Sequence, residues 1–166
     1  MRSTHRIRPA RVLPKRLLGS PLVTAVNKRV FPRVDMALQR ITRGRLSLTR
    51  AVGMPLLLLE TVGRRTGQAR VTPLIYVTQG TDFFVVGSNW GQERQPGWVL
   101  NLLAKPEAVV LVRDTRVPVR ARALDEAERA AVWPLLIQIW PVYDDYVERV
   151  HATSGREIMV FRLERS

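Results

Sequence analysis

The sequence predicts an α+β protein, mainly β: a small barrel of about six strands, with helices ahead of it and short helices at its flanks. Three observations carry this. Six short runs rich in β-branched and aromatic residues lie between residues 55 and 164, each bounded by turn residues. The segments before residue 45 carry helix start and stop signals instead. A chain of 166 residues with 46% hydrophobic content can bury one good core but not two comfortable ones. Residues 1–50 therefore read as a basic, partly helical N-terminal arm, and residues 51–166 as the barrel domain.

Taken in order, Ser20 and Pro21 make a good N-cap and first-turn pair for a helix to about Val30, and "RVDMALQRIT" (33–42) predicts a second short helix before Gly44. The period then shortens. Strands are expected over "PLLLLET" (55–61), "ARVTPLIYV" (69–77), "DFFVVGS" (82–88), "AVVLVR" (108–113), "RVPVRARAL" (116–124) and "EIMVFRLE" (157–164). In the fifth, Val117, Val119, Ala121 and Ala123 alternate with Arg116, Arg120 and Arg122, the mark of a strand with one wet face, and Pro118 suggests an edge or a bulge. "QPGWVLNLLAKP" (95–106) reads as a short helix between prolines. "LDEAERAAVWPLLIQIW" opens with Asp125 three residues before Glu128, a capping-box spacing, should kink at Pro134 and is closed by Pro141. "VYDDYVERV" adds a helical turn or two that sets Tyr143 and Tyr146 on one face.

Charge is unevenly placed along the chain. Of the formal net charge of +13, residues 1–50 carry nearly all, with 13 Lys/Arg against the single Asp35. Such an arm suits an anionic lipid surface or a nucleic acid. It has no aromatic before Phe31, and base stacking wants aromatics, so peripheral contact with an anionic membrane through residues 1–50 is preferred to nucleic acid. A basic surface that packs its apolar side on the body is the plainer alternative. The longest apolar run, residues 54–59, is too short for a membrane span, and the chain has no Cys. The expectation is a cytoplasmic protein, peripheral at the inner face of the plasma membrane.

Absences narrow the chemistry further. The only histidines are His5 in the arm and His151, read as lying in a polar loop, and neither neighbours a triad partner. No metal-ligand spacing appears, and Asp144 with Asp145 reads as a pair of solvated helix charges. An enzyme built from these residues must borrow its reactivity from a cofactor. One stretch points to such a ligand: "TVGRRTGQARVTP" (61–73) puts Arg64, Arg65 and Arg70 around Gly63 and Gly67. A solubilising surface turn is the plainer reading; the sharper one is an anion cradle, in which the glycines let backbone N–H groups turn toward a phosphate or carboxylate and the arginine forks grip its oxygens.

"LLLLETVGRRTGQARVTPLIYV", "VVGSNWGQERQPGWVLNLLAKPEAVV" and "WPLLIQIWPVYDDY", in this order, resemble the deazaflavin-dependent nitroreductase and quinone reductase family of actinobacteria, which uses coenzyme F420 on a split β-barrel. The resemblance spans roughly residues 55 to 164. It implies that Arg64, Arg65, Thr66 and Arg70 bind the anionic tail of the cofactor. Val71, Thr72, Pro73, Leu74 and Ile75 would line it, Val86, Gly87, Ser88 and Asn89 would approach its ring, and the helix entry Gly97, Trp98, Val99, Leu100 and Asn101 would face the same ligand. Gly87 would permit close contact by lacking a side chain. Asn101 also suits a role bracing a turn, and Trp98 suits the core.

The resemblance gives the tyrosines of the P-x-Y-x-x-Y segment the catalytic role, so the proton is expected from Tyr143, Tyr146 or water, Tyr143 being favoured of the two for its nearness to the Pro141 bend; packing alone is the plainer role for both. Trp90 and Trp140 depart from the family's usual residues, and Trp90 is expected to wall the substrate side. The resemblance implies hydride transfer from reduced F420 to a quinone, a nitro compound or a similar electron-poor lipophilic acceptor. FMN in place of F420, on the same arginines, and a non-catalytic lipid- or cofactor-binding barrel are the alternatives. Either a monomer or a homodimer is compatible with the sequence.

Overall fold

A computed structural model of the chain describes residues 55–166; both helices expected between residues 20 and 42, and the rest of the arm, lie outside the described residues. Six strands, β1 (Leu56–Val62), β2 (Ala69–Gln79), β3 (Asp82–Val86), β4 (Glu107–Val112), β5 (Thr115–Ala123) and β6 (Val160–Arg165), close a barrel in the order β1-β2-β3-β6-β5-β4. Every neighbouring pair is antiparallel. Helix α1 (Gly97–Ala104) joins β3 to β4, while α2 (Glu126–Ile139) and α3 (Tyr143–Ser154) join β5 to β6. The last strand thus inserts between β3 and β5, leaving no open edge.

Alternation fixes which face looks inward. On β5, Val117, Val119 and Ala121 are buried while Arg116, Arg120 and Arg122 are exposed, as expected from the sequence. Leu57 and Leu59 of β1, Phe83 and Val85 of β3, Val110 of β4 and Phe161 and Leu163 of β6 complete the interior, and α1 adds Trp98, Val99 and Leu102 to the same core. The wet face of β5 is laced by ion pairs: Arg116 with Glu60, Arg120 with Glu107 and Arg122 with Glu128.

Pro118 corrects one expectation. Its strand is neither an edge nor bulged, since β5 is paired on both sides in continuous register. Pairing with β6 begins only at Val119, so the N–H that proline lacks falls past the end of that ladder, and the Pro118 carbonyl accepts from Ser166 N–H at 3.2 Å.

Two strands are also shorter than expected. β3 stops at Val86 and β6 starts at Val160: one further bond, Gly87 N–H to Met159 O (2.8 Å), extends the pairing, and beyond it side chains take the backbone carbonyls, Arg156 Nη1 donating to Gly87 O (3.2 Å) and Gln95 Nε2 to Glu157 O (3.0 Å).

The capping box at α2 forms as its spacing predicts, with Glu128 N–H donating to Asp125 Oδ1 (2.8 Å) and Asp125 N–H to Glu128 Oε2 (3.1 Å). Pro134 does not end the helix, which runs on to Ile139 and stops before Pro141. Helix α3 runs longer than expected, to Ser154, where Gly155 takes the left-handed conformation (φ 66°) and donates to the carbonyls of Val150 and His151. His151 therefore lies in the last turn of a helix, exposed, and not in a loop. No helix among the described residues is long and apolar enough to cross a membrane.

Candidate active site

Residues 63–68 join β1 to β2 in a tight turn. Gly63 N–H donates to Gln68 O at 2.8 Å, and Gly63 O accepts from Gly67 N–H at 2.7 Å. Gly67 closes the turn at φ 68°, where an L side chain is strained. From below, α1 braces it: Asn101 Oδ1 accepts from Arg64 N–H (3.1 Å) and Asn101 Nδ2 donates to the Thr61 hydroxyl (3.1 Å). Both Asn101 and Thr61 are buried, so these bonds satisfy groups that would be costly to leave unpaired.

That bracing leaves the guanidinium groups of Arg64, Arg65 and Arg70 exposed on the turn. Among the described residues none of the three has a carboxylate within ion-pair distance, in contrast to Arg116, Arg120, Arg122 and Arg162 on the barrel wall. Arg70 reaches only Gln68 Oε1, at 3.3 Å. Three forks on a stiff turn without counter-charges are suited to a multivalent anion.

On β2 the register separates the residues expected to line the cofactor. Leu57, Leu59 and Thr61 face inward, and they sit opposite Leu74, Thr72 and Arg70. Val71, Pro73 and Ile75 share the other face, where Val71 is half exposed. A ligand on that outer face meets Val71, Pro73 and Ile75, while Leu74 packs on the core.

The β3–α1 connection holds the next group. Val86 is buried, and Gly87 sits so close to α1 that a Cβ built there would lie 2.8 Å from Val99 Cγ2 and 3.2 Å from Met159 O. Gly87 therefore has a packing reason to be glycine whatever binds nearby. Beyond Ser88, the residues Asn89, Trp90 and Gly91 all take positive φ, at 48°, 58° and 69°. Such a run is rare for bulky residues. Its Asn89 Nδ2 donates to Arg94 O at 2.9 Å. Helix α1 starts at Gly97 with no side-chain cap and open space around Gly97, so its first N–H groups keep their donor capacity. The Trp98 side chain is in the core, edge-on to Phe161 with ring centroids 5.7 Å apart, and Val99 is fully buried.

Helix α3 supplies the tyrosines. Tyr143 and Tyr146 are both buried, edge to face at 6.5 Å. Tyr146 touches the left-handed turn, since a Cβ on Gly91 would fall 2.8 Å from Tyr146 Cδ1. Trp90 stands edge-on to Trp140 at 6.5 Å, and Trp133 Nε1 donates to Asp144 Oδ1 at 2.8 Å. Asp144 thus ties α3 to α2 and is not merely a solvated charge. Burial pushes the Tyr143 hydroxyl well above the ordinary phenol range. Burial also raises Tyr146, but the Trp140 indole and the Arg149 guanidinium, 5.8 Å over its ring, oppose the rise.

One line of contacts joins these parts: Arg64 to Asn101, Val99 of the same helix to Gly87, the turn at Gly91 to Tyr146, and Tyr146 to Tyr143. No group of His, Asp and Glu among the described residues could hold a metal ion.

The pattern that defines the F420H(2)-dependent quinone reductases matches residues 31–164. The chain belongs to that family. An F420H(2)-dependent quinone reductase of Mycobacterium tuberculosis (strain H37Rv) is 34% identical over 106 residues, covering 63% of this chain and 71% of the relative. The solved F420-H2 dependent reductase FDR-A is 32% identical with a TM-score of 0.58, over 66% of this chain and 94% of that one. A second solved structure, a domain-swapped dimer, is 30% identical with a TM-score of 0.61, over 80% and 97% of the two chains. Membership makes this quinone reductase homologue an oxidoreductase of the split-barrel fold, with coenzyme F420 as its cofactor. The exposed arginines of the β1–β2 turn, without carboxylate partners among the described residues, fit an anionic cofactor tail.

Proposed function

We propose that the protein is an F420H(2)-dependent reductase of a quinone or similar electron-poor, lipophilic acceptor. The observation that carries this is the arginine turn. Arg64, Arg65 and Arg70 stand without carboxylate partners among the described residues, on a backbone braced by buried Asn101. In this reading they grip the anionic tail, with Thr66 beside them. Val71, Pro73 and Ile75 flank the cofactor, and the backbone at Ser88 and Asn89 and the first N–H groups of α1 at Gly97 and Trp98 complete its site. Bound there, the deazaflavin supplies a hydride.

The protein's own part is positioning, exclusion of water and handling of one proton. Trp90, Trp140 and Tyr146 form the apolar wall against which a flat acceptor stacks. Tyr146 Oη is the better proton donor of the two tyrosines. The indole of Trp140 and the cation of Arg149 stabilise its ionised form, whereas nothing offsets the burial of Tyr143. Tyr143 then shapes the pocket and keeps its proton.

The basic arm supplies the rest of the reading. With 13 Lys/Arg against Asp35 in residues 1–50, it would hold the enzyme at an anionic bilayer, where such acceptors dissolve. A quinone is preferred to a nitro compound because the matched family and the Mycobacterium tuberculosis relative both carry that activity in their names.

The test titrates the full chain with oxidised F420 and with FMN. F420 should bind more tightly, and Arg65→Ala and Arg70→Ala should each weaken it by about 1.5–3 kcal/mol, the scale of a charged hydrogen bond, with unfolding midpoints held. Tighter FMN binding, or unaltered F420 affinity in both variants, would refute the assignment.

A further inference from the structure

Arg156, between α3 and β6, is spent entirely on the β3–α1 loop and its own neighbour. Its Nη2 donates to Ser88 O (2.8 Å) and Gln92 O (2.7 Å), and its Nε also donates to Gln92 O (3.0 Å). Its Nη1 donates to Gly87 O (3.2 Å), Gln95 Oε1 (3.2 Å) and Glu157 O (3.4 Å). The planar fork therefore grips carbonyls on both sides of the left-handed run Asn89, Trp90 and Gly91. Around the run, the loop's own backbone–backbone bonds are Gly91 N–H to Ser88 O (3.0 Å) and Gln92 N–H to Asn89 O (3.1 Å), and the Asn89 side chain adds its bond to Arg94 O. A residue such as Trp90 holds φ 58° only where its surroundings over-determine it.

The grip has a directional consequence. In a trans peptide the carbonyl and the following N–H point opposite ways. Turning the carbonyls of Gly87 and Ser88 onto Arg156 aims the N–H groups of Ser88 and Asn89 away from it, out of the loop's other side. The same clamp sets Gly91 against Tyr146 and Trp90 against Trp140.

We propose that Arg156 is a positioning residue for the reductase site: by clamping the carbonyls of Gly87, Ser88 and Gln92 it orients the Ser88 and Asn89 N–H groups toward the cofactor and Trp90 toward the acceptor. This rests on the F420 reading of that loop. Arg156 does not touch cofactor or substrate and acts only through the backbone it holds.

The experiment compares the parent chain with Arg156→Ala, Arg156→Lys and Arg162→Ala. Arg162 of β6 pairs with buried Asp82 at the far end of the neighbouring strand β3 and serves as a control for lost stability alone. Arg156→Ala should raise the F420 dissociation constant about tenfold or more, and Arg156→Lys, which keeps the charge but loses the fork, should recover little. Added guanidinium ion at low millimolar concentration should restore part of the affinity to Arg156→Ala. Arg162→Ala should lower Tm and leave cofactor affinity alone.

Parent-like F420 affinity in Arg156→Ala, or in Arg156→Lys if the alanine variant does not fold, overturns the proposal. So does a loss that guanidinium cannot rescue and Arg162→Ala reproduces. If the parent itself fails to bind F420, the cofactor reading falls instead. Amide exchange over residues 87–95 then decides the clamp by itself, and protection unchanged in Arg156→Ala would remove it.

Discussion

Gly87→Ala separates two reasons for a glycine at the end of β3. If Gly87 serves only the approach of a ligand, adding a methyl group should harm binding and leave the apo protein intact. The structure gives the opposite order. The new Cβ would lie 2.8 Å from Val99 Cγ2, about 1 Å inside normal carbon contact, and 3.2 Å from Met159 O. Val99 is fully buried in a helix, where a β-branched side chain has one strongly preferred rotamer, so it cannot swing aside cheaply. Met159 O is backbone and already accepts Gly87 N–H. Overpacking of this kind costs about 1–3 kcal/mol. For a chain of this length that is a fall in Tm of roughly 3–10 °C with no ligand present.

The assay is a double-mutant cycle by urea or thermal unfolding, with Val99→Ala as the second change. Removing both Val99 methyl groups relieves the main clash, so the pair should be more stable than the sum of the single losses by about 1 kcal/mol or more. Additive losses would put the strain elsewhere. An apo Gly87→Ala protein as stable as the parent, with cofactor affinity lost, would refute the packing argument outright and return Gly87 to the ligand.

Four other perturbations test the site from different sides. Tyr146→Phe should lower kcat on a soluble quinone by about 10²-fold with F420 affinity retained, while Tyr143→Phe stays within a few-fold; equal effects would leave no distinction between them. Asn101→Ala removes the acceptor for Arg64 N–H and the donor to Thr61, and should cost about 1–3 kcal/mol of stability while weakening F420 binding through a loosened turn; unchanged binding would make the brace irrelevant to the site. Because burial raises Tyr143 above its unfolded value of about 10, the unfolded chain ionises first as pH rises, so stability should fall from about pH 10 upward. Tyr143→Phe should flatten part of that fall in alkaline melting curves, and an unchanged slope would contradict the burial argument. Deleting residues 1–16 should reduce binding to anionic vesicles in a salt-sensitive way and leave turnover of a water-soluble acceptor intact; salt-insensitive binding would show that charge is not what holds the arm.

Strand existence was legible because each strand has one buried and one wet face, as in the Val117, Val119 and Ala121 series against its arginines. Strand ends were not. "VVGS" and "EIM" continue the apolar pattern of β3 and β6, but their backbone groups go to Arg156, Gln95 and each other, a tertiary choice that periodicity does not encode. Pro118 was misread for a similar reason: whether a missing N–H matters depends on where the neighbouring strand begins. The arginine turn stands out in the sequence as three guanidinium groups around two glycines, and the structure sets all three exposed on one connection. The brace beneath it could be named only as a type of role for Asn101, because its partners Thr61 and Arg64 are 40 and 37 residues away. Arg156 carried no signal at all among 27 basic residues.

In the proposed reading, the place where the ladder ends is also where the cofactor and acceptor meet the protein. β3 and β6 pair from Phe83 and Leu163 as far as Val86 and Val160, one more bond joins Gly87 N–H to Met159 O, and beyond it the two strands part. A barrel interior packed with Phe161, Val85 and Trp98 has no room for a flat ring, which supports placing the cofactor where strands end and backbone donors turn outward. Because β6 is the last strand, it brings Arg156 and Met159 to a loop some 70 residues earlier in the chain. Helix α3, which precedes it, brings Tyr146 to the same loop at Gly91. The closing strand therefore finishes the fold and, in the proposed reading, the site in one step. A change that loosens the Gly87–Met159 contact should then lower cofactor affinity before it unfolds the barrel, because the loop opens at less cost than the six-stranded wall.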